Sequence, residues 1–318
     1  FKQIDTGEYV KKSCNIVAMD AYPDPTTESL TAPWITIPKG QPIPKMSNVR
    51  NYYKARHGVV NDLNSLFLIE IINEVDENTI KVKNLGDKGK KKIKTVSKQI
   101  EKDVVYPLIK PKDAKKWGVK TYQYMIIPQM KAGENNESDL RVDNPNAYKL
   151  LSSFRDELAT RKSKWFYGGD KPFYSLFGIG EYTFQKYKIV WCCMSYQPHF
   201  SVVSNIDDPL IGKKTFIPDN TIGYISVDTK MEAHYICSLL NSNKTQALFA
   251  LKSSKSKWGI SIEMVNQVPI KEFDKKSITH KKLANLSIKA HDTTEEKKIK
   301  EIEVSINKII DENQIFIE

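Results

Sequence analysis

The sequence lacks the long apolar runs and cysteine patterns that define several large classes of protein. No stretch of its 318 residues reaches the roughly 18 consecutive apolar residues that a membrane-spanning helix needs. The four cysteines form no Cys-x-x-Cys spacing, which argues against a disulfide framework and against a zinc site. The first residues show no charged-then-apolar signal pattern. These absences predict a protein of the reducing cytoplasm with no membrane partner.

Sequence signatures of nucleotide and metal chemistry are missing as well. No Gly-x4-Gly-Lys-[Ser/Thr] phosphate loop occurs, and the nearest glycine pair, Gly178 and Gly180, has no third glycine after it. The five histidines include no i, i+4 pair of the kind that binds a metal from one helix face. We therefore expect this chain to contain no catalytic residues, no bound cofactor and no metal.

Positive charge, in contrast, is abundant and confined to one segment. The chain has 49 Lys and Arg against 38 Asp and Glu, a net charge of +11. Residues 81–131 contain 15 lysines and 4 acids, so this basic segment supplies the whole excess. A localised basic segment on an otherwise neutral protein predicts a polyanionic partner such as nucleic acid. The alternative is a solvated lysine loop with no partner.

The periodicity of the sequence predicts an α+β fold. Six prolines indicate an extended lead-in over residues 1–45. Strand patterns cover residues 66–72, 79–83, 104–109, 122–127, 187–192 and 221–226, whereas helices are expected after Pro145, after the capping box Thr229–Glu232, at 277–290 and at 294–310. We expect a mixed or antiparallel sheet with packed helices over residues 1–270 and a C-terminal helical segment over 271–318. Because the chain opens on Phe1 and runs at once into ordered-looking sequence, we also expect a piece of a longer protein.

One pattern resembles the signature of metal-dependent nucleases. Pro218-Asp219 is followed by Asp228-Thr229-Lys230, and in such enzymes two carboxylates hold Mg²⁺ while the lysine activates water. The chemistry needs the second carboxylate and the lysine on one strand, facing the same side. Here Thr229 is instead expected to cap a helix, so a nuclease built on Asp219, Asp228 and Lys230 is kept as an alternative only.

Several short segments carry a family resemblance. They are Lys54-Ala55-Arg56-His57-Gly58-Val59-Val60-Asn61, residues 105–113, residues 171–182, residues 232–236 with residues 239–242, and Val268-Pro269-Ile270. Together they resemble the C-terminal target recognition (specificity) domain of restriction-modification adenine-N6 DNA methyltransferases. The resemblance extends over most of residues 45–290 as scattered motifs.

The resemblance implies a division of labour between this chain and a catalytic domain. In such enzymes the catalytic domain binds S-adenosylmethionine and flips the target adenine, while the recognition domain grips double-stranded DNA and reads its bases. The tetrapeptide Asn/Asp/Ser-Pro-Pro-Tyr/Phe, which holds the flipped adenine, is absent because no Pro-Pro dipeptide occurs. Residues 1–270 are thus expected to be a DNA target recognition domain whose methyltransferase domain, with its S-adenosylmethionine, lies elsewhere in the same polypeptide or in a partner subunit.

The expected DNA-binding residues combine the basic segment with the motif segments. They are Lys54, Arg56, His57, Lys90, Lys91, Lys92, Lys110, Lys112, Lys115, Lys116, Tyr167, Lys171 and Tyr174. Arg56 is expected to project from a loop and read guanine, with a phosphate contact or a pairing with Asp62 as the alternative. Core packing is the alternative for the aromatic candidates Trp165, Phe166, Tyr167 and Tyr174. An RNA-binding or protein-interaction module remains a third functional alternative.

Overall fold

A computed structural model describes most of the chain. The described residues are 18–24, 34–40, 51–163, 166, 170–195, 197–252 and 259–315. The helices are α1 (Asn64–Phe67), α2 (Glu137–Asp143), α3 (Pro145–Ser152), α4 (Arg155–Ala159), α5 (Glu181–Phe184), α6 (Lys230–Leu240), α7 (Asn243–Lys252), α8 (Ile262–Asn266), α9 (Ile278–His291) and α10 (Glu296–Glu312). The strands are β1 (Met19–Pro23), β2 (Trp34–Pro38), β3 (Arg56–His57), β4 (Leu68–Glu74), β5 (Thr79–Asn84), β6 (Ser97–Glu101), β7 (Val105–Ile109), β8 (Ala114–Lys115), β9 (Gly118–Val119), β10 (Gln123–Ile126), β11 (Tyr187–Cys192), β12 (Phe200–Val203), β13 (Ile206–Asp208), β14 (Gly212–Lys214), β15 (Ile217–Pro218) and β16 (Ile222–Val227). This architecture confirms the predicted α+β class with a mixed sheet.

The larger sheet has six strands in the order β15-β7-β10-β4-β5-β6. Only the β15–β7 pair is parallel, and the other neighbours are antiparallel. In β5 the alternate residues Ile80, Val82 and Asn84 point inward, as the pleat requires. Their face packs in one hydrophobic core with Leu150 and Leu151 of α3.

The smaller sheet has four antiparallel strands in the order β12-β11-β16-β3. Its inner strand β11 is buried on both faces. Ile189 and Trp191 join the core beneath α6 and α9, whereas Val190 packs on the other side with Tyr224 and Ile109. The sheet is therefore a buried layer between the larger sheet and the C-terminal helices.

The C-terminal helices share that second core. Leu283 and Ala284 of α9 and Ile306 and Ile310 of α10 lie in the same cluster as Trp191. Residues on both sides of position 270 thus pack together, and the predicted domain boundary at that position stays a prediction. Among the described residues, no helix is long and apolar enough to cross a membrane.

The structure differs from the sequence predictions at three element ends. Residues 64–67 form α1, so the strand expected from residue 66 begins only at Leu68. The helix expected over 145–158 breaks at Ser153 into α3 and α4. The helix expected over 294–310 begins at Glu296 and ends at Glu312, whereas Thr229 caps α6 as expected.

Candidate nucleic-acid interface

Three of the motif segments meet at one tight backbone crossing. The Val59 N–H donates to the Pro218 carbonyl at 2.8 Å, and Val60 and Phe177 exchange backbone hydrogen bonds of 2.8 and 2.9 Å. The Asp219 N–H donates to the Ile109 carbonyl at 3.0 Å. The crossing joins residues 54–61, 105–113 and 171–182, which are more than 100 positions apart at the extremes.

Glycine makes this crossing sterically possible. A Cβ atom added at Gly58 would lie 2.2 Å from the Pro218 carbonyl oxygen. Gly178 has a φ of +64°, and a Cβ there would lie 2.7 Å from the Gly58 carbonyl oxygen. Both positions therefore require glycine, one for close approach and one also for its backbone conformation.

The turn that follows β15 is rigid and exposed at its tip. The buried Asp219 carboxylate accepts from the Thr221 N–H at 3.1 Å and from its hydroxyl at 2.7 Å. The Ile222 N–H donates to the Asp219 carbonyl at 2.8 Å, so the turn is closed from both sides. Asn220, at the tip, is exposed. We call Asp219–Asn220 the central turn.

The structure does not bring the residues of the nuclease alternative onto one strand. Asp219 precedes β16 and Asp228 follows it, so six strand residues at ~3.3 Å each, roughly 20 Å of extended chain, lie between them. Asp228 accepts from the Gln185 side chain, and Lys230 begins α6 behind its Thr229 cap. The described residues also contain no group of three or more His, Cys, Asp or Glu side chains placed to hold a metal ion.

A cleft of about 580 Å³ opens beside the central turn. Its walls come from three separate parts of the chain, namely residues 60–64, residues 89–91 and residues 160–162, with Asn220 at its edge. Lys90 and Lys162 are both exposed at this cleft. The cleft therefore carries basic side chains, and it is within the size range of small-ligand sites.

Arg161 holds the walls of the cleft together. This guanidinium is only 4% exposed and donates to the carbonyls of Asn61 at 3.2 Å, Ser175 at 2.6 Å and Phe173 at 2.7 Å. Its Nε–H also donates to the Leu158 carbonyl at 3.2 Å. The buried guanidinium thus ties three segments together, which gives Arg161 a structural role.

The lysine-rich loop at the cleft is anchored to the fold. The buried Asn84 amide donates to the Ser65 carbonyl at 2.9 Å and the Lys94 carbonyl at 3.1 Å, and its oxygen accepts from Val96 N–H at 2.7 Å. Ile93 N–H closes the loop onto the Gly86 carbonyl at 3.1 Å. These contacts fix where the loop presents its charges.

The three lysines expected at the tip of this loop have different surroundings. Lys90 is exposed. Lys91 donates to the Thr160 hydroxyl and, at 3.2 Å, to the Glu157 carbonyl, so it bridges the loop to the end of α4. Lys92 donates to the Asp87 carbonyl at 2.7 Å. Of these three, only Lys90 therefore presents its ammonium group without a protein acceptor in the described part of the chain.

Lys110 and Lys112 lie beside the central turn, because the Asp219 N–H donates to the carbonyl of Ile109, the residue before Lys110. Burial lowers the pKa of Lys110; the Asp219 and Asp113 carboxylates oppose this shift, and the positive charges of Lys112 and Lys88 add to it. Lys88 and Lys112 are both exposed. We call Lys88, Lys90, Lys110, Lys112 and the central turn the basic surface.

The first motif segment reaches the same turn. The His57 ring donates to the Asn220 main-chain carbonyl, but burial outweighs this contact and lowers the pKa of His57. Lys54 is exposed and its carbonyl accepts from Arg56 at 3.1 Å. The Arg56 guanidinium also lies 4.4 Å from the centre of the Tyr182 ring.

The structure corrects the expected setting of Arg56. This residue lies in strand β3, paired with Tyr224 of β16, and is half-buried instead of projecting from a loop. Asp62, its expected acidic partner, accepts from the Lys162 backbone N–H at 3.1 Å. The guanidinium lies over the Tyr182 ring, an arrangement that still leaves N–H donors for a ligand.

Lys115 and Lys116 lie on the short β8–β9 hairpin, which docks on the C-terminal helices. Lys116 pairs with Glu303 of α10 at 2.7 Å, and the Trp117 indole donates to the same carboxylate at 2.7 Å. Lys115 is exposed. Lys116 is therefore already paired with an acidic side chain, whereas Lys115 is exposed to solvent.

Tyr174 and Lys171, the remaining expected site residues that the structure describes, do not belong to the basic surface. Tyr174 is fully buried and its hydroxyl donates to Asn136 at 2.9 Å. Its ring therefore packs in the core, which was the alternative to a DNA contact. Phe166 is likewise buried. The Lys171 ammonium lies 5.6 Å from the centre of the Phe177 ring. Tyr167 and Trp165 fall outside the described residues.

Two residues of the interface are not indicated by the sequence patterns. Asn220 follows the Pro-Asp pair that resembled a nuclease motif, although Pro-Asp-Asn is also a typical turn sequence. Lys162 lies in a short basic run at the end of α4, where a solvated helix end is the common explanation. Their proximity to Lys90 depends on pairings across the chain that local patterns do not reveal.

Comparisons with known proteins agree with the resemblance at a coarse level. No protein-family model matches the chain. The type II methyltransferase M.NspV of Nostoc sp. (strain ATCC 29411 / PCC 7524) is 27% identical over 198 residues, which cover 62% of this chain and 37% of that protein. The type IIL restriction-modification enzyme MmeI, solved in complex with DNA, matches with a TM-score of 0.52 and 13% identity, over 92% of this chain and 38% of that one. The chain thus spans less than two fifths of either protein, and over that part it is similar in sequence to the type II methyltransferase M.NspV and in fold to MmeI.

Proposed function

We propose that this chain is the double-stranded DNA recognition module of a restriction-modification adenine-N6 DNA methyltransferase. It positions DNA for a methyltransferase domain located elsewhere in the same polypeptide or in a partner subunit, and S-adenosylmethionine binds to that domain. The observation that carries the proposal is the basic surface, where lysines from two segments converge on a rigid turn. The relation to M.NspV and the shared fold with DNA-bound MmeI support it.

The residues of the interface divide into two roles. Lys88, Lys90, Lys110 and Lys112 bind phosphates, since a flexible ammonium is a point charge that suits a polyanionic backbone. Arg56 and His57 lie in strand β3, with the His57 ring at the central turn, and they approach base edges, because an arginine fork matches guanine O6 and N7. Lys54 flanks them as a further phosphate contact. Lys91 and Lys92 shape the loop, and Lys115 and Lys171 lie outside this surface.

Binding to different nucleic acids tests the proposed class of partner. Fluorescence anisotropy with duplex DNA, single-stranded DNA and duplex RNA of equal length, each at several salt concentrations, will give the tightest binding to duplex DNA. The logarithm of the affinity for duplex DNA will fall linearly with the logarithm of salt, by roughly 0.9 for each phosphate contact. A preference for single strands would indicate an RNA-binding module instead, and no binding to any of the three would indicate a protein-interaction module.

The same proposal predicts that the chain alone neither binds S-adenosylmethionine nor methylates DNA. The physical reason is that the chain has no Pro-Pro tetrapeptide to hold an adenine and no glycine-rich turn after a strand to hold the cofactor. Isothermal titration with S-adenosylmethionine should give no binding heat. Stoichiometric binding with micromolar affinity would contradict the division of labour, although not the DNA contact itself.

A further inference from the structure

Asn220 is an exposed side chain at the centre of the basic surface. The cleft of residues 60–64, 89–91 and 160–162 lies on one side of it, and the His57 ring contacts its main-chain carbonyl. Lys110 is close to its neighbour Asp219. A ligand that neutralises the lysines of this surface therefore meets the Asn220 amide.

The backbone beneath Asn220 is held unusually firmly for an exposed turn. Asp219 on its N-terminal side is only 7% exposed and donates its N–H to the Ile109 carbonyl at 3.0 Å. On the other side, the Thr221 N–H and hydroxyl bind the Asp219 carboxylate, and the Ile222 carbonyl accepts from Gly58 at 3.0 Å. The turn is thus pinned by the 105–113 and 54–61 segments, so the Asn220 side chain projects from a rigid support.

The Asn220 side chain has no hydrogen-bond partner within the described part of the chain, unlike its neighbours. Asn61 and Asn64 also line the cleft, but they bind each other at 3.0 Å, and Asn61 accepts from Leu63 N–H at 2.8 Å. The side-chain carbonyl oxygen and the side-chain amino group of Asn220 are therefore both available to a ligand. A carboxamide offers one acceptor and one donor side by side.

We infer that Asn220 is a base-reading residue of this interface and that it recognises adenine in the major groove. Adenine presents an acceptor, N7, next to a donor, N6–H₂, and this is the pair that a carboxamide complements with two hydrogen bonds. Guanine presents two acceptors at the same edge, and an amide satisfies only one of them. Because the backbone of this turn is already held in place, binding through Asn220 costs little backbone conformational entropy, which favours a specific contact. The inference rests on the proposed function.

Selection from a pool of randomised duplexes tests the inference and does not require the recognised sequence to be known. The wild-type chain and the variants N220A and N220D are each used to enrich the pool, and N285A serves as a matched control because Asn285 is an exposed amide on α9. N220A should lose the preference for adenine at one position of the enriched sequence, by roughly 5- to 150-fold in discrimination. Its affinity for unrelated duplexes should remain unchanged.

The aspartate variant gives the complementary result. A carboxylate accepts from the cytosine N4 amino group, so N220D should shift the preference at that same position from adenine to cytosine. N285A should enrich the wild-type sequence. Thermal unfolding of all variants should match the wild type, since Asn220 is exposed and the turn is held by Asp219.

The outcomes separate this inference from the proposed function. If the wild-type chain enriches a sequence and N220A enriches the same one with equal discrimination, Asn220 is a solvated turn residue and the inference is wrong. If the wild-type chain enriches no sequence at all, the proposed recognition function itself is contradicted.

Discussion

Replacing Lys88, Lys90, Lys110 and Lys112 together with glutamine will reduce affinity for duplex DNA by roughly 100- to 1000-fold at low salt. Four lost phosphate contacts remove about four times 0.9 from the slope of log affinity against log salt, and the loss of affinity follows from the counterions that are no longer released. The measurement is anisotropy with an unrelated duplex at several salt concentrations, and both affinity and slope should fall. The four positions surround the central turn, so their effect should be shared by every DNA sequence.

The matched control removes the same charge elsewhere. Lys281, Lys282, Lys297 and Lys300 are exposed lysines of α9 and α10, so their replacement with glutamine lowers the net charge equally. This variant should keep the wild-type slope and most of the affinity. If the two variants weaken binding to the same extent, overall charge and not the basic surface determines DNA binding.

Replacing Arg161 with methionine will destabilise the protein by at least about 3 kcal/mol. Four main-chain carbonyls accept from this guanidinium, and hydrogen bonds to a charged group contribute about 1.5–3 kcal/mol each, so even partial compensation leaves a large loss. Urea unfolding, followed by tryptophan fluorescence, should show a lower midpoint. Lysine at this position should not restore stability, because an ammonium does not reproduce the planar fork.

Lys162 provides the adjacent control for Arg161. Its side chain is exposed, so the variant K162M should unfold within about 0.5 kcal/mol of the wild type. If R161M were as stable as K162M, the segments around the cleft would not depend on the buried Arg161 guanidinium for their stability.

The sequence predicted the fold well where local signals agree with tertiary packing. The apolar pattern of residues 187–192 and the Thr229 capping box each lead directly to β11 and α6. Lys188 shows the limit of such signals. It lies in the middle of β11 and is fully buried, donating to the Thr215 hydroxyl at 2.8 Å, and burial lowers its pKa to about 7. Only the surrounding packing reveals that this lysine is in the core and not on a basic surface.

The candidate site was less predictable because it is assembled from distant segments. Composition located the excess charge in residues 81–131, yet that segment divides in the structure. Lys88, Lys90, Lys110 and Lys112 flank the central turn, whereas Lys116 pairs with Glu303 and Lys102 binds Glu74. Local sequence does not encode these long-range pairings. For the same reason it did not distinguish Tyr174, which is buried, from a surface aromatic.

Lysine-reactivity footprinting measures most directly whether the basic surface contacts duplex DNA. The full chain is acetylated briefly with and without excess duplex DNA, and each lysine is quantified by mass spectrometry. Lys88, Lys90 and Lys112 should become protected several-fold on DNA binding, whereas the exposed lysines Lys281, Lys282, Lys297 and Lys300 should react equally in both states. Unchanged reactivity at Lys88, Lys90 and Lys112, or protection of the α9 and α10 lysines in their place, would contradict the account.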